Sequence, residues 1–375
     1  MTIAPFDYAR PLRLNQPRRF EFGTGSAAEV GAWAKAAGYR RIMVITTGAV
    51  LGLIDRLALP GTPTIFDGVQ PEPDTDNLAL ALAATLAATP DLIVGFGGGS
   101  VMDVAKLVAV LGSGVDLASI IGPNRVPGRT PALALVPTTA GTGSEAGIRA
   151  LVTDTRTLNK LAVESPHLSA DMVALDPDLT MSVPPAVTAA TGIDAMAHCV
   201  EAFTNRKSHP LIDDYARMGI RLVAKYLPRA VADGTDAEAR AGLLLAAYYG
   251  GICLGPVNTA AGHALAYPLG TRLKLPHGHA NAVIFPHVLA FNQPVAPAKT
   301  IEIASLLGLS TTDLLPDAAN WCATLGVEMR LSALGAQETD LANWATEAHA
   351  IRRLMDNNPR DMSVDEVHAI YRAAF

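Results

Sequence analysis

A carboxylate and an imidazole stand four residues apart in the segment Thr191 to Glu201. On a helix this spacing puts Asp194 and His198 one turn apart on the same face, where both can reach one cation. Two further imidazoles, His263 and His277, follow in Gly-His-Ala and Pro-His-Gly contexts. Three imidazoles and one carboxylate suit a borderline divalent ion such as Fe²⁺ or Zn²⁺ better than Mg²⁺ or Ca²⁺, which favour oxygen ligands. The sequence therefore predicts a metal centre.

A glycine-rich turn follows a strongly apolar segment, Leu92 to Phe96, that reads as a strand. The turn is Gly97-Gly98-Gly99-Ser100, and it opens a predicted helix carrying Asp103. Glycines there let backbone approach a phosphate, while the N–H groups and dipole at the helix start attract its charge. The spacing is not G-x-G-x-x-G, so a tight turn without a ligand is an equal alternative for this motif by itself.

A second polar loop follows the predicted strand Ala132 to Val136. It reads Pro137-Thr138-Thr139-Ala140-Gly141-Thr142-Gly143-Ser144-Glu145. Open α/β sheets bind ligands outside the carboxyl ends of their strands, which is where both loops fall. Two such loops in one half of the chain favour a nucleotide cleft.

The elements that must position these residues change character near residue 181. Before it, predicted strands alternate with helices, which indicates a mainly parallel sheet covered on both faces. After Ser182-Val-Pro-Pro, a helix-start signal, the periodicities are nearly all helical. The sequence predicts a dinucleotide-binding α/β domain over residues 1–181 and an all-helical metal-binding domain over residues 182–375. The predicted helices of the second half include Ile212 to Tyr226, Ala237 to Leu254, Pro297 to Leu307, Leu314 to Leu325, Glu338 to Arg353 and Val364 to Ala374.

Composition narrows the class of protein. The 375 residues exceed the size of roughly 250 to 300 residues at which single cores stop growing, which favours two domains. A net charge of −6 without a Lys/Arg run argues against nucleic acid as a partner. The N-terminus lacks a secretory pattern and the most apolar run, Leu78 to Ala88, is too short to span a bilayer. We expect a cytoplasmic protein with no membrane partner.

Taken together, five motifs resemble the iron-containing (group III) alcohol dehydrogenases. They are Gly97-Gly-Gly-Ser-Val-Met-Asp103-Val-Ala-Lys106, Pro137-Thr-Thr-Ala-Gly-Thr-Gly-Ser-Glu145, Gly192-Ile-Asp194-Ala-Met-Ala-His198, Gly262-His263 and Pro276-His277-Gly278. The likeness runs from Phe22-Gly23 to Asn358-Pro359-Arg360. It implies a dehydroquinate-synthase-like fold with the active site between the two domains. It also suggests a homodimer that pairs through the strand near Phe20 to Phe22.

The resemblance implies a ligand set and a cofactor site. Asp194, His198, His263 and His277 would bind the metal. The residues implied for NAD or NADP are Gly98, Gly99, Ser100, Asp103, Thr138, Thr139, Thr142 and Lys160. The expected chemistry is hydride transfer between nicotinamide and a small alcohol or carbonyl whose oxygen the cation polarises.

Three positions depart from the family's pattern, one near the expected catalytic base and two near the cofactor. Tyr267 stands where the family has histidine, four residues after His263; we predict a proton-relay or ribose role, with packing alone as an equal alternative. Thr47 replaces the aspartate with which NAD-preferring members hold the ribose, and Glu72 replaces the family's asparagine in the next loop. A carboxylate at position 47 would repel a 2′-phosphate, so NAD and NADP both stay open.

Three further side chains are candidates near the site. Arg149 predicts a substrate with an acidic group, as in a hydroxy acid or semialdehyde, and a salt bridge to Asp154 or Glu145 is the alternative. By spacing His279 competes with His277 as a ligand, although the Pro-His-Gly context favours His277. Glu201 could orient His198 through a hydrogen bond to the imidazole on the side away from the metal, or it could have only a surface or interface role.

The sequence thus predicts a metal-dependent, NAD(P)-linked alcohol dehydrogenase or aldehyde reductase. One alternative is a dehydroquinate-synthase-type lyase, which would also bind NAD and a metal but needs several basic residues for a phosphate-bearing substrate. The other is a nucleotide-binding scaffold with a decayed site, against which the four intact ligand positions count.

Overall fold

The computed structural model describes residues 9–375 and separates into two compact units. One is Leu14–Ser182; the other is Val183–Phe375 together with residues 9–13. The sequence groups residues 9–13 with the α/β domain, whereas Arg10 donates a hydrogen bond to the Lys207 carbonyl oxygen of the helical unit (2.9 Å). What each unit binds stays a prediction.

The unit Leu14–Ser182 is built on a six-stranded parallel sheet with strand order β1-β9-β6-β4-β2-β3. A small second sheet has the order β5-β8-β7, with β7 and β8 antiparallel. The strands are β1 (Arg19–Phe22), β2 (Ile42–Ile45), β3 (Thr64–Phe66), β4 (Leu92–Gly97), β5 (Gly122–Pro123), β6 (Ala132–Pro137), β7 (Arg149–Thr153), β8 (Lys160–Glu164) and β9 (Met172–Leu175). The α-helices are α1 (Ala28–Ala37), α2 (Thr75–Ala88), α3 (Gly99–Leu111) and α4 (Leu117–Ile120).

The central strands of the large sheet are buried along their whole length. Every residue of β2, β4 and β9 is buried, which explains their continuous apolar sequences. Strands β4 and β6 are neighbours in parallel register, with Gly97 opposite Pro137. The two loops singled out in the sequence therefore leave the sheet side by side at its carboxyl edge. The α/β class with a parallel sheet is confirmed.

Two local features of this unit differ from expectation. The sequence also predicts a helical stretch near Leu51 to Ala58, and the structure has a 3₁₀-helix there that begins three residues earlier, Gly48–Leu57. The β7–β8 hairpin was not predicted, because β7 is short and only half-buried. The alternation that buries Ala150 and Val152 is the signal that could have revealed it.

The unit from Val183 onward contains helices and no strand among the residues described. The helices predicted for this half of the chain are present, except that the one predicted over Glu338 to Arg353 is interrupted. It divides because Ile351 leaves helical backbone (ψ 61°) and packs on the apolar core. The helices are α5 (Pro185–Thr204), α6 (Pro210–Ala232), α7 (Ala237–Leu254), α8 (Ala261–Arg272), α9 (His277–Asn292), α10 (Pro297–Leu307), α11 (Leu314–Thr324), α12 (Leu341–His349), α13 (Arg352–Met355) and α14 (Val364–Ala373).

None of the helices described, α1 to α14, combines the length and hydropathy that crossing a bilayer requires. The prediction about a secretory signal falls largely on residues 1–8, which lie outside the described residues.

Candidate metal centre and nucleotide-binding turn

Three helices of the unit from Val183 onward bring the four predicted metal ligands together. Helix α5 carries Asp194 and His198 one turn apart, α8 carries His263 in its first turn, and α9 begins with His277. Oδ1 of Asp194 lies 3.9, 3.5 and 3.7 Å from the Nε2 atoms of His198, His263 and His277. One carboxylate oxygen is thus surrounded by three imidazole nitrogens.

This cluster is almost entirely shielded from solvent. The side chains of Asp194, His198 and His263 are 2, 5 and 3% exposed, whereas that of His277 is 27% exposed. Burial by itself would raise the pKa of Asp194, but the neighbouring imidazoles hold that pKa below its usual range. Solvent therefore reaches the cluster mainly at His277.

The arrangement fits a divalent transition metal. Ligand atoms about 2.1 Å from a tetrahedral ion lie about 3.4 Å apart, close to the 3.5 to 3.9 Å between Oδ1 of Asp194 and the three imidazole nitrogens. Among the residues described, nothing donates a hydrogen bond to or accepts one from Nε2 of His263, although that atom is buried. Asp194, His263 and His277 each offer a donor atom within 4.8 Å of the others. Three nitrogens and one oxygen are a donor set for Fe²⁺ or Zn²⁺.

Glu201 fixes the orientation of His263. Its Oε1 lies 2.7 Å from Nδ1 of His263, so an N–H there leaves the lone pair of Nε2 facing Asp194. The carboxylate also accepts the backbone N–H groups of His263 (3.2 Å) and Ala260. The sequence suggested Glu201 as a partner of His198; it lies one turn beyond His198 on α5 and reaches the start of α8 instead. A Cβ on Gly262 would lie 2.5 Å from Oε1 of Glu201, which explains the glycine.

Asn281 is a site residue that sequence reasoning missed. Its Nδ2 donates to Oδ1 of Asp194 (2.8 Å) and lies 3.1 Å from Nε2 of His277. The same amide thus holds two of the predicted donor atoms. The available signal was its position four residues after His277, one turn along α9.

Tyr267 and His279 lie near the cluster in different ways. The ring of Tyr267 packs against His277 with centroids 6.0 Å apart, and its hydroxyl accepts a hydrogen bond from Arg353 (3.1 Å). Nε2 of His279 instead lies 3.0 Å from the carbonyl oxygen of Glu328. The structure therefore brings Tyr267 beside a predicted ligand and holds His279 elsewhere; the catalytic roles of both stay predictions.

The two loops predicted to bind a nucleotide pack against each other at the carboxyl edge of the sheet. Gly98 is the N-cap of α3, and a Cβ on Gly99 would lie 2.6 Å from the side chain of Thr142. Gly98 likewise lies against Thr139, and the Thr138 N–H donates to the Gly97 carbonyl oxygen (3.1 Å). The first-turn N–H groups of α3 thus lie beside a threonine-rich loop. Such N–H groups and the helix dipole attract phosphate.

Asp103 and Lys106, both on α3, stabilise this turn through hydrogen bonds to the loop that contains Ser144. Asp103 accepts the Ser144 hydroxyl (2.6 Å) and the Leu151 N–H (3.0 Å). Lys106 is fully buried and donates to Oγ of Ser144 (2.9 Å) and the Arg149 carbonyl oxygen (2.9 Å). Both carboxylate oxygens of Asp103 therefore brace the protein itself, while its predicted contact with the cofactor stays a prediction.

Two other cofactor candidates, Thr47 and Lys160, lie at the ends of strands. Thr47 follows β2 and forms an isolated bridge with Gly68. Lys160 begins β8, and its ammonium forms an ion pair with Glu72. The backbone N–H of Glu72 donates to Oγ of Ser100 (3.2 Å), in the first turn of α3.

Arg149 has a protein partner for its charge. Its guanidinium pairs with Glu164 (2.5 Å from Nη2 to Oε2), which lies directly opposite on β8. The salt-bridge alternative is thus present, with Glu164 as the partner rather than Asp154 or Glu145, because the unpredicted hairpin sets the neighbours of β7.

Comparison with known proteins matches both halves of the chain. The family model described as "Iron-containing alcohol dehydrogenase" matches residues 17–177. The family model described as "Fe-containing alcohol dehydrogenase family, C-terminal" matches residues 188–375. Long-chain-alcohol dehydrogenase 1 of Geobacillus thermodenitrificans is 33% identical over 384 residues, covering 97% of this chain and 96% of that protein.

Two solved structures are similar to this chain over almost its whole length. A 1,3-propanediol oxidoreductase superposes with a TM-score of 0.91 at 32% identity, covering 98% of this chain and all of that one. Sulfoacetaldehyde reductase from Bifidobacterium kashiwanohense, in complex with NAD⁺, superposes with a TM-score of 0.88 at 28% identity, covering 97% and 99% of the two chains. The chain belongs to the iron-containing alcohol dehydrogenase family and is an oxidoreductase.

Proposed function

We propose that this chain is a metal-dependent, NAD(P)-linked alcohol dehydrogenase or aldehyde reductase acting on a small alcohol and its carbonyl partner. The observation that carries the proposal is that three imidazole nitrogens lie 3.5 to 3.9 Å from a single buried carboxylate oxygen. Family membership supports the reaction class. The relatives, a long-chain-alcohol dehydrogenase and a 1,3-propanediol dehydrogenase, support alcohols as substrates.

The chain's own residues supply placement and charge. In the proposal Asp194, His198, His263 and His277 hold a divalent cation, Fe²⁺ or Zn²⁺. A cation held there would polarise the substrate oxygen, and a bound nicotinamide would supply or accept the hydride. Glu201 and Asn281 keep the donor atoms directed at one point, so little reorganisation is needed when the substrate arrives.

Tyr267 is the proposed proton relay or ribose contact. It lies one turn after His263 on α8, with its ring against His277. The hydrogen bond from Arg353 leaves the Tyr267 hydroxyl able to donate its own proton to a neighbouring acceptor.

The proposed dinucleotide site is the turn from β4 into α3. Gly98, Gly99 and Ser100 offer backbone N–H groups to the pyrophosphate, and the threonine loop lies beside them. NAD is supported by the similar sulfoacetaldehyde reductase, whose solved structure is a complex with NAD⁺. NADP is compatible as well, because Thr47 places no carboxylate where a 2′-phosphate would be repelled.

A homodimer is proposed through the edge of the large sheet. Strand β1 is terminal in the strand order, and Phe20 and Phe22 are 39% and 43% exposed. Exposed apolar side chains on an edge strand favour pairing with a second chain.

The decisive test loads the protein with Fe²⁺ or Zn²⁺ and follows nicotinamide absorbance with a panel of neutral and acidic alcohols and aldehydes. We expect turnover that disappears after chelation and returns with metal. Turnover of a dehydroquinate-synthase-type substrate without net change in nicotinamide would favour the lyase. Absence of both metal binding and turnover would favour the scaffold.

A further inference from the structure

Glu72 adopts a backbone conformation that is unusual for its residue type. It lies in the loop between β3 and α2 with φ of +52°, in the left-handed region that glycine, asparagine and aspartate adopt more readily. The next residue is anchored, because the Pro73 carbonyl oxygen accepts the Thr153 N–H (2.9 Å). The surrounding contacts therefore hold a conformation that glutamate disfavours.

The contacts of Glu72 reach the start of α3. Its N–H donates to Oγ of Ser100 (3.2 Å), and its carboxylate pairs with the ammonium of Lys160. Lys160 is the register partner of Thr153, so the hairpin that anchors the loop also supplies the cation. Glu72 thus contacts Ser100, in the first turn of α3, through its backbone and Lys160 through its carboxylate.

The ion pair between Glu72 and Lys160 is a contact of the kind that a bound anion would make. The side chain of Lys160 is 14% exposed and that of Glu72 is 46% exposed, so the pair is partly screened from water. Lys160 is one of the residues predicted to line the cofactor site, so the carboxylate of Glu72 occupies a cation that an anionic cofactor would use.

We propose that Glu72 is an internal competitor of the cofactor phosphates: it neutralises Lys160 in the free protein and must release it when a dinucleotide binds. The inference rests on the proposed binding of NAD(P) at the β4–α3 turn. Its consequence is that Glu72 lowers the affinity for dinucleotide, and lowers it most for the more highly charged NADPH.

The test is the dissociation constant of NADH and NADPH, measured by fluorescence at low salt, for the intact metal-loaded chain. Glu72→Gln keeps the size of the side chain and removes its charge. We expect the dissociation constant for NADH to fall about three- to tenfold, as expected for removing a partly exposed competing charge, and that for NADPH to fall further. The matched control is Glu164→Gln. It removes a carboxylate on β8 that does not pair with Lys160, and it should change the affinity less than twofold.

A double-mutant cycle assigns the effect to Lys160. In a Lys160→Met background, Glu72→Gln should give a smaller gain than in the original chain. An equal gain would overturn the proposal, since the carboxylate would then act without Lys160. Weaker binding by Glu72→Gln would also overturn it, because Glu72 would then contact the cofactor. If the unaltered chain bound neither nucleotide, the proposed function would fail. If it bound them and Glu72→Gln left the dissociation constant unchanged, only the inference about Glu72 would be overturned.

Discussion

Oε1 of Glu201 lies 2.7 Å from Nδ1 of His263, and this contact decides which nitrogen of the imidazole faces Asp194. Because His263 sits in the first turn of α8, the same carboxylate also ties the start of that helix to α5. A change at Glu201 should therefore alter the metal centre without removing a ligand.

We expect Glu201→Gln to weaken metal binding by about 10- to 100-fold, because an amide cannot accept at both positions where the carboxylate now accepts N–H groups. Competition with a chromogenic chelator measures the affinity. Glu302→Gln, which alters a partly buried ion pair with Arg217, is the control. Equal metal affinity in both variants would show that the orientation of His263 does not depend on Glu201.

His277 and His279 are two residues apart on α9, yet only His277 faces Asp194. We predict that His277→Ala loses bound metal and that His279→Ala retains it, as measured by elemental analysis after dialysis. His167→Ala, at an exposed position in the other unit, controls for handling. Metal loss from His279→Ala with retention by His277→Ala would reverse the ligand assignment.

Glu145 is 2% exposed, and burial raises its pKa to about 7 from an ordinary 4.5. Between about pH 4.5 and pH 7, Glu145 is therefore mostly protonated in the folded chain and mostly ionised in the unfolded chain. The stability due to this proton is fully present below pH 4.5 and is lost as the pH rises through about 7.

Glu145→Gln cannot ionise and should escape that loss. We predict similar denaturant midpoints for variant and original chain near pH 5, and a variant more stable by on the order of 2 kcal/mol at pH 8. Glu29→Gln, at an exposed position in the same unit, is the control for a glutamate-to-glutamine change. A constant difference across the pH range would mean that Glu145 stays ionised when folded.

The ion pair between Arg149 and Glu164 joins the two strands of the hairpin. Because the charge of Arg149 already has a partner, we expect Arg149→Ala to lower kcat/KM on neutral alcohols and on hydroxy acids by the same factor. Parallel assays with both substrate classes measure it. A loss confined to hydroxy acids would instead restore Arg149 as the recognition group for an acidic substrate.

The edge strand β1 offers a direct test of assembly. We predict that Phe22→Lys places a charge at the proposed subunit contact and converts a dimer to a monomer, as read by light scattering coupled to size exclusion. Ile65→Lys, on β3 at the other edge of the sheet, is the matched control, because Ile65 is similarly exposed at 44%. A dimer that withstands Phe22→Lys would place the contact elsewhere.

Much of this arrangement could be predicted because its signals are local in sequence. The four-residue spacing of Asp194 and His198 is a helical spacing, and the loop after β4 follows an unbroken apolar strand. His263 and His277 needed their Gly-His and Pro-His-Gly contexts, since spacing alone left His279 as a rival.

The remaining features depend on partners that are distant in sequence. Glu201 meets His263 because α5 and α8 pack together, and Arg149 meets Glu164 because an unpredicted hairpin sets the register. Asn281 carries no motif of its own and becomes visible only when α9 lies against Asp194. Single residues with non-helical backbone, such as Ile351, likewise give no periodic signal.

All four donor side chains of the metal cluster come from residues 183–375. In the proposed metal centre the ion would need no donor from residues 14–182, so we expect metal to bind whether or not a dinucleotide is present. We therefore expect the cation to stay with the helical unit from one turnover to the next, while only the organic reactants exchange.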